Sequence, residues 1–227
     1  MKNFKLLSVL AVCLMAFAFT SCNTGSDNET WTPLTTAEKA KCYMQTSGEH
    51  SAKMIYLSDE HKYKENDYQD TVDVDFNIYT NITKKDTTLL VKGFPVHVLA
   101  RYIPEGSNTN DLKTALKAYT ETVSFESRVD YVKTSPITFL VNPRVLSVNL
   151  EYGGKTHKVD FYCYASSIWS APNYGVLNST TSKIGVQFYF MGYKVDAASD
   201  DQNNPTQFSY SMGGQNLNYG IFTAWEK

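Results

Sequence analysis

The chain has little positive charge and few histidines for its 227 residues, and each shortage excludes a class of function. Lys and Arg number 21 against 23 Asp and Glu, which gives a formal net charge of −2, and no basic patch is present. Proteins that bind nucleic acid neutralise phosphates with clustered Lys and Arg. We therefore expect no nucleic-acid partner.

The sequence also lacks the common catalytic and metal-binding motifs. Its four histidines are His50, His61, His97 and His157, and none has the i,i+4 partner or the His-Glu-x-x-His spacing of a helical metal site. No Gly-x-Ser-x-Gly turn for a serine hydrolase occurs either. We predict a partly buried, hydrogen-bonded role for His157, and no metal site, cofactor or catalytic residue. An enzyme is not the expected function.

The N-terminus carries an export signal. Lys2 and Lys5 precede an uncharged apolar run over residues 6–19, and small residues follow it. The run is shorter than the roughly 20 residues of a transmembrane helix. Residues 19–22, Phe-Thr-Ser-Cys, resemble a bacterial lipobox, in which Cys22 is lipidated and becomes the new N-terminus. The alternative is an ordinary signal peptide with an incidental cysteine.

These features predict three segments. Residues 1–21 form a lipoprotein signal peptide, residues 22–32 a polar, flexible tether, and residues 33–227 a single β-rich domain with a possible seam at 104–110. Loss of the signal leaves a net charge near −4. The expected location is the cell envelope, on the outer membrane through the lipid anchor, with the face that it occupies left open.

Two cysteines remain in the predicted domain, Cys42 and Cys163. An oxidising envelope would allow one disulfide between them. The alternative is two buried thiols that act as small hydrophobic side chains. Both interpretations stay open at this point, because spacing alone does not fix a disulfide.

Two-residue alternation of apolar and polar side chains dominates the chain after residue 48. It predicts strands at 71–79, 146–152, 159–163, 184–190, 208–212 and 217–225, with weaker ones at 53–57, 87–92, 123–132 and 137–141. Gly153-Gly154 predicts a tight hairpin turn. A capping box at Thr35 and Glu38 predicts a helix over 36–45, and shorter helical pieces follow Pro95 and Asn110. The fold class is mainly β: an antiparallel sandwich or a calycin-like barrel with two or three short helices.

Aromatic side chains are abundant, at 14% of the chain with 16 Tyr. Tyr162 and Tyr164 are predicted on the polar face of their strand, and Trp169 and Tyr174 in the loop that follows. Exposed rings of this kind stack on sugars or anchor a protein partner. The alternative is that strands simply favour aromatic residues.

The chain resembles a family of uncharacterised Bacteroides-type lipoproteins. The resemblance rests on the lipobox Cys22, on Phe94-Pro95-Val96 with Leu99-Ala100 and Ile103, and on the segment 112–116. It implies a lipobox followed by β-rich sequence and a short helix, and brings no established activity or catalytic residue. It also implies O-glycosylation at Asp-Thr motifs, for which Thr71 and Thr87 are candidates.

The expected function is a membrane-anchored envelope lipoprotein that binds a glycan or another envelope ligand. The alternative is a structural or interaction subunit of an envelope complex, with a protein partner and no small-molecule ligand. A ligand-sized cavity with converging polar groups would favour the first. A solid core with an exposed apolar patch would favour the second.

Overall fold

A computed structural model describes residues 32–57, 69–197, 205–212, 215–217 and 219–227. The predicted signal peptide, Cys22, nearly all of the tether and His61 lie outside these residues. The described helices are α1 (Thr36–Thr46), a 3-10 helix (Val96–Tyr102) and α2 (Asn110–Ala118). The described strands are β1 (Gly48–Leu57), β2 (Gln69–Asn81), β3 (Asp86–Pro95), β4 (Thr122–Thr134), β5 (Ile137–Pro143), β6 (Leu146–Tyr152), β7 (Lys155–Cys163), β8 (Tyr174–Leu177), β9 (Ile184–Val195), β10 (Thr206–Gln207), β11 (Tyr210–Met212), β12 (Gln215–Leu217) and β13 (Gly220–Glu226).

Eight of the described strands close into an antiparallel barrel. Their order is β1, β2, β3, β4, β5, β8, β9 and β13, and every neighbouring pair is antiparallel. β13 closes the barrel, because it pairs with β1 through Met54 and Ala224 and with β9 through Phe222 and Phe188. The calycin-like barrel is therefore confirmed, and the sandwich alternative is wrong. Closure satisfies both edges of each strand, which an open sheet cannot do.

Aromatic rings fill one half of the barrel interior. Neighbouring rings in this group have centroids 5.3 to 6.0 Å apart, at stacked or edge-to-face angles: Phe94, Phe125, Phe188, Phe190 and Phe222. Such ring pairs stabilise a core beyond the area that they bury. Elsewhere in the interior, the ring of Phe139 lies directly over Gly175, where an added Cβ would come within 2.1 Å of it. The interior of the barrel is thus a packed core.

A smaller sheet branches from the barrel at β9. The C-terminal half of β9 leaves β8 and β13 and pairs with β7 on one side and with β10 on the other. β6 forms a hairpin with β7 through Gly153-Gly154, and both glycines have positive φ, as a two-residue turn requires. α2 packs against β6 and the 3-10 helix. The apolar face of β6 is buried, while Ser147, Asn149 and Glu151 are exposed.

Helix α1 packs against β4 and begins at the predicted capping box. Thr35 and Glu38 satisfy each other's backbone N–H groups. At the other end of α1, the Thr46 hydroxyl donates to the Cys42 carbonyl at 3.0 Å and lies 2.5 Å from the Tyr131 hydroxyl of β4. Because Thr46 has one hydroxyl proton, Tyr131 is the donor in the second bond. Burial raises the pKa of Tyr131 from 10.0 to about 12.

The short helical piece predicted after Pro95 is present as a 3-10 helix. Two other expectations need correction. Phe208 is buried outside the described strands, stacked on Tyr102 with 5.5 Å between ring centroids. Cys42 and Cys163 are both free thiols, so the disulfide interpretation is wrong. Cys42 lies in α1 while Cys163 pairs with Phe190 in β9, and burial raises the pKa of both thiols.

Candidate functional site

Trp169 stands at the tip of a tight turn on the outside of the barrel. Its side chain is 83% exposed, the most exposed aromatic side chain among the described residues. Ser167 and Ser170 on either side of it form a two-way backbone bridge, with N···O distances of 2.7 and 3.2 Å. The Ser167 hydroxyl also accepts from the N–H of Trp169 at 3.3 Å. Local hydrogen bonds therefore fix the turn that presents this ring.

Asn173 holds the base of this loop and is completely buried. Its side-chain amide donates to the Tyr164 carbonyl, and its Oδ1 accepts from the Tyr189 N–H at 2.6 Å. Its own N–H donates to the Ser166 hydroxyl at 2.8 Å. The Ser166 N–H in turn donates to Oδ1 of Asn142 at the end of β5. The loop is thus bonded to two barrel strands.

Tyr174 is placed differently from the prediction. It is the first residue of β8, pairs with Gln187 of β9 and is only 5% exposed. Gln187 is buried too, and its side chain donates to the Pro172 carbonyl at 3.0 Å. Tyr174 is therefore a buried residue of a barrel strand and does not share an exposed surface with the Trp169 ring.

A row of half-buried tyrosines crosses the outer surface where the loop is attached. Tyr164 follows β7 and donates its N–H to the Tyr189 carbonyl of β9 at 3.0 Å. The ring of Tyr189 is 5.1 Å from that of Tyr219, which precedes β13. Tyr162 lies in β7, just before a register shift between Tyr162 and Cys163, and is also half-buried. Sequence reasoning missed Asn173 and Tyr219, because a lone buried Asn and a tyrosine outside a strand leave no pattern.

The wall of the barrel around this loop is uncharged. Residues 161–182 contain no Asp, Glu, Lys, Arg or His. The outward positions of β5, β8, β9 and β13 near the loop are equally neutral: Thr138, Leu140, Val176, Gln187, Ile221 and Thr223. Hydroxyl, amide and aromatic groups are therefore the chemistry that this surface offers to a ligand.

Two of the described histidines, His157 and His50, have hydrogen-bond partners within the fold. His157 is 8% exposed, stacks on Tyr152 and lies 2.8 Å through Nδ1 from Asp196, which confirms its predicted burial and hydrogen bonding. That hydrogen bond lowers the pKa of Asp196. His50 lies between the Thr46 carbonyl and the Glu226 carboxylate, each 3.1 Å from a ring nitrogen. Among the described residues, no three metal-ligating side chains cluster.

A groove of about 510 Å³ lies between α1 and the ends of β3 and β4. Three of its four charged side chains are in close ion pairs, Lys39 with Asp130 at 2.6 Å and Asp86 with Arg144 at 2.9 Å. Its charges are therefore largely compensated within the fold. The candidate glycosylation residue Thr87 lines this groove and is half-buried. Thr71 is exposed on β2.

No helix among the described residues has the length and hydrophobicity to span a bilayer. A family model for a domain of unknown function, DUF4840, matches residues 45–195, which include nearly the whole barrel and the Trp169 loop. No curated protein and no solved structure matches the chain.

Proposed function

The chain belongs to the DUF4840 family, which carries no described activity, and from the geometry of the loop we propose that it is an envelope lipoprotein that binds uncharged glycans. Cys22 would carry the lipid anchor, and the Trp169 loop with the adjacent tyrosines would form the binding surface. The observation that carries this proposal is an almost fully exposed Trp on a loop that is bonded to the barrel at several points.

The filled interior favours binding on the outside. Calycin-like barrels that hold a ligand inside need an open cavity, whereas here bulky side chains occupy the interior. The Trp169 turn is ordered before any ligand arrives, so little conformational entropy is lost on binding. An exposed ring on a hydrogen-bonded turn is therefore a favourable contact for a ligand.

The neutral wall favours an uncharged sugar over an acidic one. Sugar rings present apolar faces that stack on aromatic rings and hydroxyls that bond to amides and hydroxyls. Covering about 80 Å² of the Trp169 ring would contribute about 2 kcal/mol. That contribution corresponds to about 30-fold in affinity.

Binding of a soluble form that begins at Trp31 to a panel of neutral and acidic polysaccharides tests the proposal. We expect a neutral glucan or mannan to bind, with little dependence on salt because no ion pair forms. Trp169→Ala should weaken binding about 30-fold. Ile82→Ala is the matched control, because Ile82 is 87% exposed on the turn between β2 and β3. Equal binding by Trp169→Ala and the unaltered protein would exclude this surface.

A protein partner is the second candidate, since an exposed, pre-ordered Trp is also a typical anchor in protein interfaces. Loss of a specific envelope protein from cross-linked samples of Trp169→Ala, with no polysaccharide bound by the unaltered domain, would favour it.

The anchor is tested separately. Cys22→Ala should release the folded domain from the membrane fraction, and its continued retention there would contradict lipidation at Cys22.

A further inference from the structure

Strand β6 has one paired edge and one open edge. It pairs with β7 over its whole length and stands last in the strand order. Within the described part of the chain, no other strand pairs with it. An open strand edge presents unpaired N–H and C=O groups, which are a template for a further strand.

The hairpin geometry shows which residues of β6 direct their backbone N–H and C=O groups to the open edge. Tyr152 and Lys155 flank the two-residue turn, so they form a hydrogen-bonded pair. Farther from the turn, non-hydrogen-bonded and hydrogen-bonded pairs of opposite residues alternate. The backbone groups of Ser147, Asn149 and Glu151 consequently point away from β7. The hydrogen bonds of Lys158 support this assignment. Lys158 lies opposite Asn149, but its N–H and C=O bond to Asp196 instead of to β6.

Within the described part of the chain, the open edge lacks most of the usual protection. Native edge strands are blunted by Lys, Pro, a bulge or a covering segment. Within β6 there is no Lys or Pro, its register with β7 is unbroken, and its three outward residues are exposed. Its other face, Leu146, Val148 and Leu150, is buried. The three residues whose backbone groups point away from β7 are therefore all exposed along this edge.

We propose that β6 pairs antiparallel with β6 of a second copy of this chain, about a two-fold axis at Asn149. In that register Asn149 faces Asn149 of the other copy, and Ser147 faces Glu151 twice. All three residues with outward backbone groups then meet one another, which gives about six inter-chain hydrogen bonds. The two small sheets become one continuous sheet.

The side chains of β6 suit this pairing with itself. Each Glu151 lies opposite an uncharged Ser147, and the two carboxylates are about 13 Å apart along the strands. On the buried face, Val148 meets Leu150 of the other copy, an apolar pair that favours strand association. A sequence that is self-complementary in register and charge fits a second copy better than an unrelated strand.

Cross-linking in cells that express the full chain tests the proposal. Asn149→Cys brings two thiols to Cα positions about 5.5 Å apart, within the range of a disulfide. Lys158→Cys is the control, because Lys158 has the same exposed face but would be about 14 Å from its counterpart, three strand spacings away. We expect about tenfold more disulfide-linked dimer for Asn149→Cys under mild oxidation. Equal amounts, or a link to a different protein, would overturn the proposal.

A second experiment tests the register. Ser147→Cys alone and Glu151→Cys alone should give little dimer, while co-expression of the two variants should give a linked pair. Adding Asn149→Pro to both variants should abolish that link, because it removes the two central hydrogen bonds. The N–H of Asn149 faces away from β7, so its loss leaves the β6–β7 hydrogen bonds in place and β6 should remain folded. Linking that is the same with and without co-expression, or that Asn149→Pro leaves unchanged, would refute the register.

Discussion

Replacing Tyr131 by phenylalanine should destabilise the protein at neutral pH and stabilise it in strong alkali. Tyr131 is 3% exposed and donates a hydrogen bond to Thr46 across the contact between β4 and α1. Loss of one such bond costs about 1 kcal/mol. The Thr46 hydroxyl keeps its bond to the Cys42 carbonyl, so its donor proton remains paired. The variant should therefore be less stable by about that amount at pH 8.

The alkaline effect follows from the pKa of Tyr131, which burial raises from 10.0 to about 12. A folded-state pKa above the unfolded value means that stability is fully present below pH 10 and is lost as the pH rises towards 12. The loss reaches about 1.4 kcal/mol at pH 11 and about 1.9 kcal/mol at pH 11.5. Phenylalanine does not ionise, so the two stability curves should cross at about pH 10.7, where the loss for the unaltered protein reaches about 1 kcal/mol.

Urea unfolding of both proteins at pH 8, 10, 11 and 11.5, followed by tryptophan fluorescence, measures this difference. Tyr164→Phe is the control, since it removes a tyrosine hydroxyl outside the α1 contact. A gap between Tyr131→Phe and the unaltered protein that is the same at pH 8 and pH 11.5 would show that the burial of Tyr131 does not control its ionisation.

Three substitutions test the packing of the barrel and its loop, each by urea unfolding. Asn173→Ala should lower the free energy of unfolding by about 2 to 4 kcal/mol, because two backbone groups lose their buried partner; a loss below 1 kcal/mol would show that the loop is held by other contacts. Ser127→Ala should be neutral or stabilising by up to about 1 kcal/mol, since the Ser127 hydroxyl is buried without a hydrogen-bond partner among the described residues. A clear destabilisation would reveal a partner. Gly175→Ala should cost about 2 to 3 kcal/mol through the clash with Phe139, and Phe139→Leu in that background should recover part of it.

Local patterns were sufficient to predict most elements of this fold. Alternation placed β2, β6 and β7 near their observed positions, because each of these strands buries one face and exposes the other over part of its length. It also placed β9, although β9 has no exposed residue. Gly153-Gly154 identified the hairpin, because both positions need positive φ. These signals depend only on residues close in sequence, so they can be recognised without knowledge of the tertiary structure.

Closure and the arrangement of the site could not be predicted in the same way. Alternation says which face of β13 is buried, but it does not say that β1 and β9 are its partners. Tyr174 was expected in the loop, with an exposed ring. In the structure it begins β8 and pairs with Gln187 of β9, a neighbour that alternation along the chain does not identify.

The two proposed contacts lie on a single insertion into the barrel. Between β5 and β8 the chain leaves the eight-stranded meander for residues 144–173, which contain the β6–β7 hairpin and the Trp169 loop. β5 and β8 are direct neighbours in the barrel, so a short turn would have been enough to connect them. The insertion therefore adds surface that barrel closure does not require. If the insertion carries the function, core substitutions such as Tyr131→Phe should change stability and leave glycan binding and β6 pairing intact. Trp169→Ala and Asn149→Pro should each remove one contact and leave the melting of the barrel unchanged.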